Sequence, residues 1–417
     1  METRIFVVVF LISLSPFDVF SYKINDVQLF QKFEKHLENR KTDLSDVGLD
    51  IVQYLTKYNY SVETHEVTTE DGYILSVFRI PSKNNTNNTA SAPAILYLHG
   101  LLCVPIDWVT LGPDTSLALL TADQGYDVWM LGVRGTKDSM KHTTFNSSQQ
   151  EFWDFSFHEK GYYDTAATID YILKVTTLKK VTLVGHSEGT SDSMILAATR
   201  PEYNDKINLI VMLSPIAYVG GVISPLILAL VKNMEALKLF FENTLHMYGL
   251  PYSDSFAEGV TNFCRSNINI CIELIKELCG NDQDELDADY LLVFVSSKIG
   301  GISLKELMHY GQEIKSETFR QYDFGELGNL IHYGTTQPPD YDAAKITAPV
   351  AIYYGKNDYL AAIDDVEKLS NALPNKVDQY LVESDHFNHL DFICSRNVRT
   401  LLYDRVLGVI NEKNVNN

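Results

Sequence analysis

Residues 181–191 read VTLVGHSEGTS and set Ser187 between Gly185 and Gly189. A serine spaced this way from two glycines is the pattern of a nucleophile held on a sharp strand-to-helix turn. The glycines suit such a turn because its strained backbone leaves no room for Cβ atoms. A hydroxyl is a poor nucleophile until a base removes its proton, so Ser187 requires a histidine, and the histidine requires an acid. Two later stretches supply them. YYGKNDYLA (353–361) contains Asp358, and VESDHFNHLDF (382–392) contains His386 and His389, each with an aspartate beside it. Position alone does not choose between the two histidines. Asp358 also fits an ordinary turn, a role that suits Asp364 and Asp365 better because they open the next helical pattern. The chain order serine, aspartate, histidine is that of acyl transfer on an α/β scaffold. Such chemistry also needs N–H donors for a developing oxyanion. LHGLL (98–102) offers Gly100 for the turn and the Leu101 N–H as donor, although His99-Gly100 alone reads as a plain strand end.

These residues must be held by strands. Continuous apolar runs at 93–100, 126–132, 179–187, 207–215, 349–355 and 377–382 read as strands buried on both faces. Helical patterns at 164–175, 188–199, 363–373 and about 392–410 separate them, and the alternation predicts a mostly parallel sheet with helices on both faces. YILSVFRI (73–80) alternates and leads into PSKNNTNNT, which predicts a hairpin-like edge. From 217 to 345 the rhythm stops. That segment opens with AYVGGVISPLILALV (217–231), close to spanning length, but Pro215, Gly220, Gly221 and Pro225 interrupt it. An inserted helical cap with an apolar surface is expected there rather than a membrane span. The expected division is a leader (1–21), a core in two parts (22–216 and 346–417) and the cap (217–345).

Composition bounds the function. The 417 residues carry 34 basic and 54 acidic side chains, a net charge of -20. Such a balance argues against nucleic-acid partners, which need basic surface. The N-terminus places Arg4 before an apolar run from Ile5 to Leu14, the layout of a secretory signal peptide cut after Ser21; a buried N-terminal strand is the other way to read it. Asn59, Asn84, Asn87 and Asn146 each begin an Asn-x-Ser/Thr sequon, which fits a secreted chain. Five cysteines permit at least one disulfide with one thiol left over, and their spacing lacks the pairs of a zinc site. No metal or organic cofactor is expected.

The blocks TEDGYILSVFRIP, YLHGLL, ADQGYDVWMLG, FWDFSFHEKGYYDTAATIDYIL, VGHSEGTSDSMILAATRPEYNDKINLIVMLSPIAYV, YYGKNDYLA and FNHLDFI together resemble the acid lipase family of α/β-hydrolases, which includes gastric and lysosomal acid lipases and their insect relatives. The resemblance implies an α/β-hydrolase fold and a secreted or lysosomal esterase acting on lipid esters at a lipid–water interface. It implies Ser187 as nucleophile, Asp358 as acid, His389 rather than His386 as base, and the N–H groups of Leu101 and Glu188 as oxyanion donors. It also implies that the 217–345 insertion is cap and lid, with Cys264 and Cys271 as a disulfide pair. Two departures stand out. Glu188 replaces the usual Gln, and an ionised carboxylate near the oxyanion would oppose catalysis unless it is protonated or points away. MLGVRGTKDS is one residue shorter than the usual Leu-Gly-Asn-x-Arg-Gly loop and lacks its Asn. A short-chain carboxylesterase, or a lipid carrier that keeps the fold without catalysis, are the alternatives.

Overall fold

In a computed structural model, residues 44–82, 92–281, 286, 288–296 and 301–415 are described. The expected leader and the sequon asparagines Asn84 and Asn87 lie outside them. The strands in chain order are β1 (Glu63–Thr68), β2 (Tyr73–Ile80), β3 (Ala94–Leu98), β4 (Asp127–Gly132), β5 (Lys141–His142), β6 (Val181–His186), β7 (Ile207–Leu213), β8 (Gly249–Leu250), β9 (Ile302–Ser303), β10 (Val350–Tyr354) and β11 (Lys376–Leu381). The main sheet runs β1-β2-β4-β3-β6-β7-β10-β11, with β5 paired to β2. From β4 to β11 every pairing is parallel; β1, β2 and β5 pair antiparallel at one end. The chain therefore has an α/β-hydrolase fold.

The helices that matter to the site are α1 (Ala166–Thr176), α2 (Glu188–Thr199), α3 (Pro225–Lys232), α4 (Ile268–Cys279), α5 (Leu304–Ser316), α6 (Ile363–Ala372) and α7 (Asp404–Val415). Period-two burial splits each central strand between two cores, as a sheet covered on both faces requires. Leu96 and Leu98 of β3, with Trp129 and Leu131 of β4, pack into one core with α1 and α2. Ile95, Tyr97, Val128 and Met130 face the other, with the α7 residues Val406 and Ile410. A third, smaller core lies within the insertion, around Cys264, Cys271, Leu291, Leu292 and Val295.

Three expectations change. β2 is not the edge: it bonds to β4 and β5 along one side and to β1 along the other, and β1 is the outer strand. The sequence ETHEVT of β1 is mostly exposed and polar, so it carries little apolar signal. The last helical stretch is broken between Asp391–Cys394 and Arg399–Val415, where Ser395 turns to extended backbone. The insertion is helical as expected but also holds the short antiparallel pair β8–β9. Among the described residues no helix is long and apolar enough to cross a membrane.

Candidate active site

β6 delivers Ser187 into a turn with φ 53 and ψ -122, a conformation that L-residues other than Gly rarely adopt. Bringing strand and helix this close requires the two glycines. A Cβ on Gly185 would fall 2.5 Å from the Gly189 carbonyl oxygen, and one on Gly189 would fall 2.1 Å from that of Leu98. The strain, of order 1–3 kcal/mol, is held by hydrogen bonds. The Ser187 N–H donates to the Leu213 carbonyl at 3.1 Å, and the Thr190 hydroxyl donates to the Ser187 carbonyl at 2.6 Å. The Gly100 turn lies against the serine: a Cβ there would sit 3.0 Å from Ser187 Cβ. Leu101 follows Gly100 in that loop, and Glu188, the first residue of α2, follows Ser187 directly.

Ser187 Oγ lies 2.8 Å from His389 Nε2. On the other side of the ring, His389 Nδ1 is 3.0 Å from each Asp358 oxygen. Asp358 and His389 are buried, while Ser187 is half-buried. Burial by itself pushes the Asp358 carboxyl up. The His389 ring, with hydrogen bonds from His389, the Ala361 N–H and the Ser214 hydroxyl, outweighs it and holds Asp358 below the ordinary carboxylate range. His386 stands in the same loop but is exposed, and its carbonyl only accepts from Asn357 Nδ2 at 3.1 Å. Asp364 and Asp365 lie in the first turn of α6, where Asp365 accepts the Gly221 N–H at 2.7 Å.

Sequence patterns missed several residues that hold this constellation. Ser214, directly after β7, has φ 53; its hydroxyl lies 2.5 Å from Asp358 Oδ2 and 2.7 Å from His389 Nδ1. His186 donates Nε2–H to the His389 carbonyl at 2.9 Å; burial, then the His389 charge, depresses it to about 3, so it stays neutral. The C-terminal end of α4 in the insertion bonds both loops. The Cys279 carbonyl accepts the N–H of Tyr359 at 3.2 Å and of His389 at 3.3 Å, and the Gly280 carbonyl accepts Asn388 Nδ2–H at 3.1 Å. The only advance signals were the Ser-Pro after β7 and the Cys-Gly at a helix end, both too common to single out.

The two departures also have definite geometry. The Glu188 side chain is buried and meets Lys160 Nζ at 2.8 Å and the Tyr310 hydroxyl at 3.0 Å, so its carboxylate bonds neither Ser187 nor His389. The shortened loop is anchored by Arg134, which is buried, pairs with Asp164 and Asp71 at 2.6 Å each, and lies 3.9 Å from the centre of the Tyr73 ring. Its Val133 N–H reaches His99 Nε2 at 3.5 Å, beside Gly100. In the cap, Cys264 and Cys271 are disulfide-bonded. Cys103, Cys279 and Cys394 are buried thiols, and burial pushes all three up, away from reactive thiolates. The sequon residues Asn59 and Asn146 are exposed.

The family described as a partial alpha/beta-hydrolase lipase region matches residues 51–112, and the alpha/beta hydrolase fold family matches residues 93–246. The chain is 38% identical to Lipase 3 of Drosophila melanogaster, over 84% of this chain and 89% of that one. It is 35% identical to gastric triacylglycerol lipase of Homo sapiens, over 88% of this chain and 92% of that one. Among solved structures, a candidate lipase from Acinetobacter baumannii superposes with a TM-score of 0.52 at 13% identity, covering 91% of this chain and 99% of that one, a likeness of fold alone. On the sequence identity and coverage of these relatives, the chain belongs to the acid lipase family of α/β-hydrolases.

Proposed function

We propose that this protein is a secreted or lysosomal serine lipase that hydrolyses lipid carboxylic esters, triacylglycerols first among them, through an acyl-enzyme on Ser187. The observation that carries it is the unbroken chain Ser187 Oγ to His389 Nε2 at 2.8 Å and His389 Nδ1 to Asp358 at 3.0 Å. His389 takes the Ser187 proton as Oγ attacks the ester carbonyl, and Asp358 holds the ring tautomer and stabilises the imidazolium. The N–H groups of Leu101 and Glu188 receive the tetrahedral oxyanion. His389 returns the proton to the leaving alcohol; water then repeats the sequence on the acyl-enzyme and releases the acid. The segment 217–345 acts as cap and lid, and its exposed Ile223, Leu228 and Leu239 suit contact with a lipid surface. The disulfide and the exposed sequons Asn59 and Asn146 support an oxidising, secretory route.

The test is the purified protein on triacylglycerol, cholesteryl ester and short-chain ester emulsions, with Ser187→Ala beside it. Hydrolysis of long-chain esters by the wild type alone is expected. Activity confined to short-chain esters would make it a carboxylesterase, and equal signal from Ser187→Ala would remove the serine mechanism.

A further inference from the structure

Behind the elbow lies a buried charged cluster that the proposed chemistry does not use. Lys160, from the turn preceding α1, is 2% exposed; Glu188 and Asp192 on α2, and Glu306 on α5, are each 1% or less. Lys160 Nζ is 2.8 Å from Glu188 Oε1 and 2.6 Å from Glu306 Oε1. Tyr310, one turn beyond Glu306 on α5, donates to Glu188 Oε2 at 3.0 Å. One ammonium thus joins the nucleophile helix to the cap. Neighbouring acids are satisfied elsewhere: Glu159 lies 3.6 Å from Lys305, and Asp164 pairs with Arg134 at 2.6 Å. The nearby His99 is pushed down to about 4 by burial and stays neutral.

A buried cluster of three carboxylates and one ammonium cannot keep all its charges. Neither oxygen of Asp192 nor Glu306 Oε2 has a hydrogen-bond partner among the described residues, and Glu306 Oε1 meets Lys160 Nζ at 2.6 Å. Burial first and the Glu188 charge second push Asp192 well above the carboxylate range and Glu306 up to about 8. These two hold protons near neutrality, which leaves Lys160 paired with Glu188. Glu188 follows Ser187 directly. An unneutralised carboxylate on that residue would repel negative charge developing beside Ser187.

We propose that Lys160 is a positioning residue of the Ser187 site: by pairing with Glu188 it cancels the charge next to the oxyanion and fixes the first peptide of α2, and by reaching Glu306 it makes that arrangement depend on the docked cap. The proposal rests on the acyl-transfer reading above. It explains how glutamate is tolerated where the family usually has glutamine.

The experiment measures kcat and KM on a soluble ester across pH for wild type, Lys160→Met, Glu188→Gln and the double variant. Active sites are counted by a phosphonate ester that labels serine, so that rates refer to folded protein. In Lys160→Met, kcat should fall by about tenfold to a hundredfold with KM little changed, the scale of impairing one oxyanion donor. Adding Glu188→Gln should restore most of the rate. A Lys160→Met enzyme with wild-type kcat, or a double variant as slow as the single, would overturn the proposal. If Lys160→Met yields no folded protein, the double variant decides: near wild-type kcat supports the pairing, and a loss beyond about tenfold refutes it. Wild-type protein that neither hydrolyses esters nor takes the label would instead refute the acyl-transfer reading.

Discussion

Ser214 Oγ lies 2.5 Å from Asp358 Oδ2, at a residue whose φ of 53 places it in the left-handed region. The strained backbone aims the hydroxyl at the carboxylate, where it joins the Leu360 and Ala361 N–H groups, which donate to Asp358 Oδ1 at 2.9 and 2.8 Å. Asp358 is thereby held from both sides, and the ring of His389 with it.

Replacing Ser214 by Ala removes a hydrogen bond to a buried charge, a loss of about 1.5–3 kcal/mol. The expected result is a fall in kcat of roughly tenfold or more with KM nearly unchanged, because the hydroxyl contacts Asp358 and His389 rather than substrate. Steady-state kinetics of Ser214→Ala checks it; a wild-type kcat would show that the other donors suffice.

The two histidines of the 382–392 loop should behave unequally. His389→Ala removes the only ring among the described residues that bonds Ser187 Oγ, and turnover should drop by about three orders of magnitude or more. His386 is exposed and lends only its carbonyl, which any residue supplies. His386→Ala should therefore retain most of the rate. The opposite ranking in a side-by-side assay would reverse the roles.

Gly280 has φ 128, and a Cβ there would come within 1.9 Å of the Asn357 carbonyl oxygen. Gly280→Ala must displace the loop that carries Asp358 or the one that carries His389. A lower melting temperature and a fall in kcat of about a hundredfold are expected, the scale of a misplaced catalytic group. Gly259 is the control. It lies on an exposed helical position with nothing within 4 Å of its Cβ, so Gly259→Ala should leave activity intact and add about 0.5–1 kcal/mol of stability. Equal effects from the two substitutions would show that the Gly280 contact does not hold the loops.

Glu306 gives stability a pH dependence. Burial and Glu188 raise its carboxyl from 4.5 to about 8. Between those values the folded protein holds a proton that the unfolded chain has released, so this group's contribution is full below 4.5 and is lost as pH rises through about 8. Urea midpoints measured at both ends of that window should show a decline in the wild type and a smaller one in Glu306→Gln. Parallel declines would assign the effect to other groups.

Periodic and local signals were enough for much of the molecule. The apolar runs around Leu96, Leu183, Ile210 and Ile352 marked the parallel strands, because a strand buried on both faces is apolar at most positions. Gly185, Ser187 and Gly189 marked the elbow, because a Cβ at either glycine would run into backbone atoms there. Strand β1 escaped notice because its exposed faces need no apolar residues. The partners of the site escaped for a different reason. Ser214 beside Asp358, Cys279 beside His389 and Lys160 beside Glu188 are separated by 144, 110 and 28 positions in the chain. Each is an ordinary residue until the fold brings its partner near. The sequence by itself determined which groups could react; only the tertiary structure decided what holds them in place, since buried hydrogen bonds and ion pairs depend on distances that no local pattern encodes.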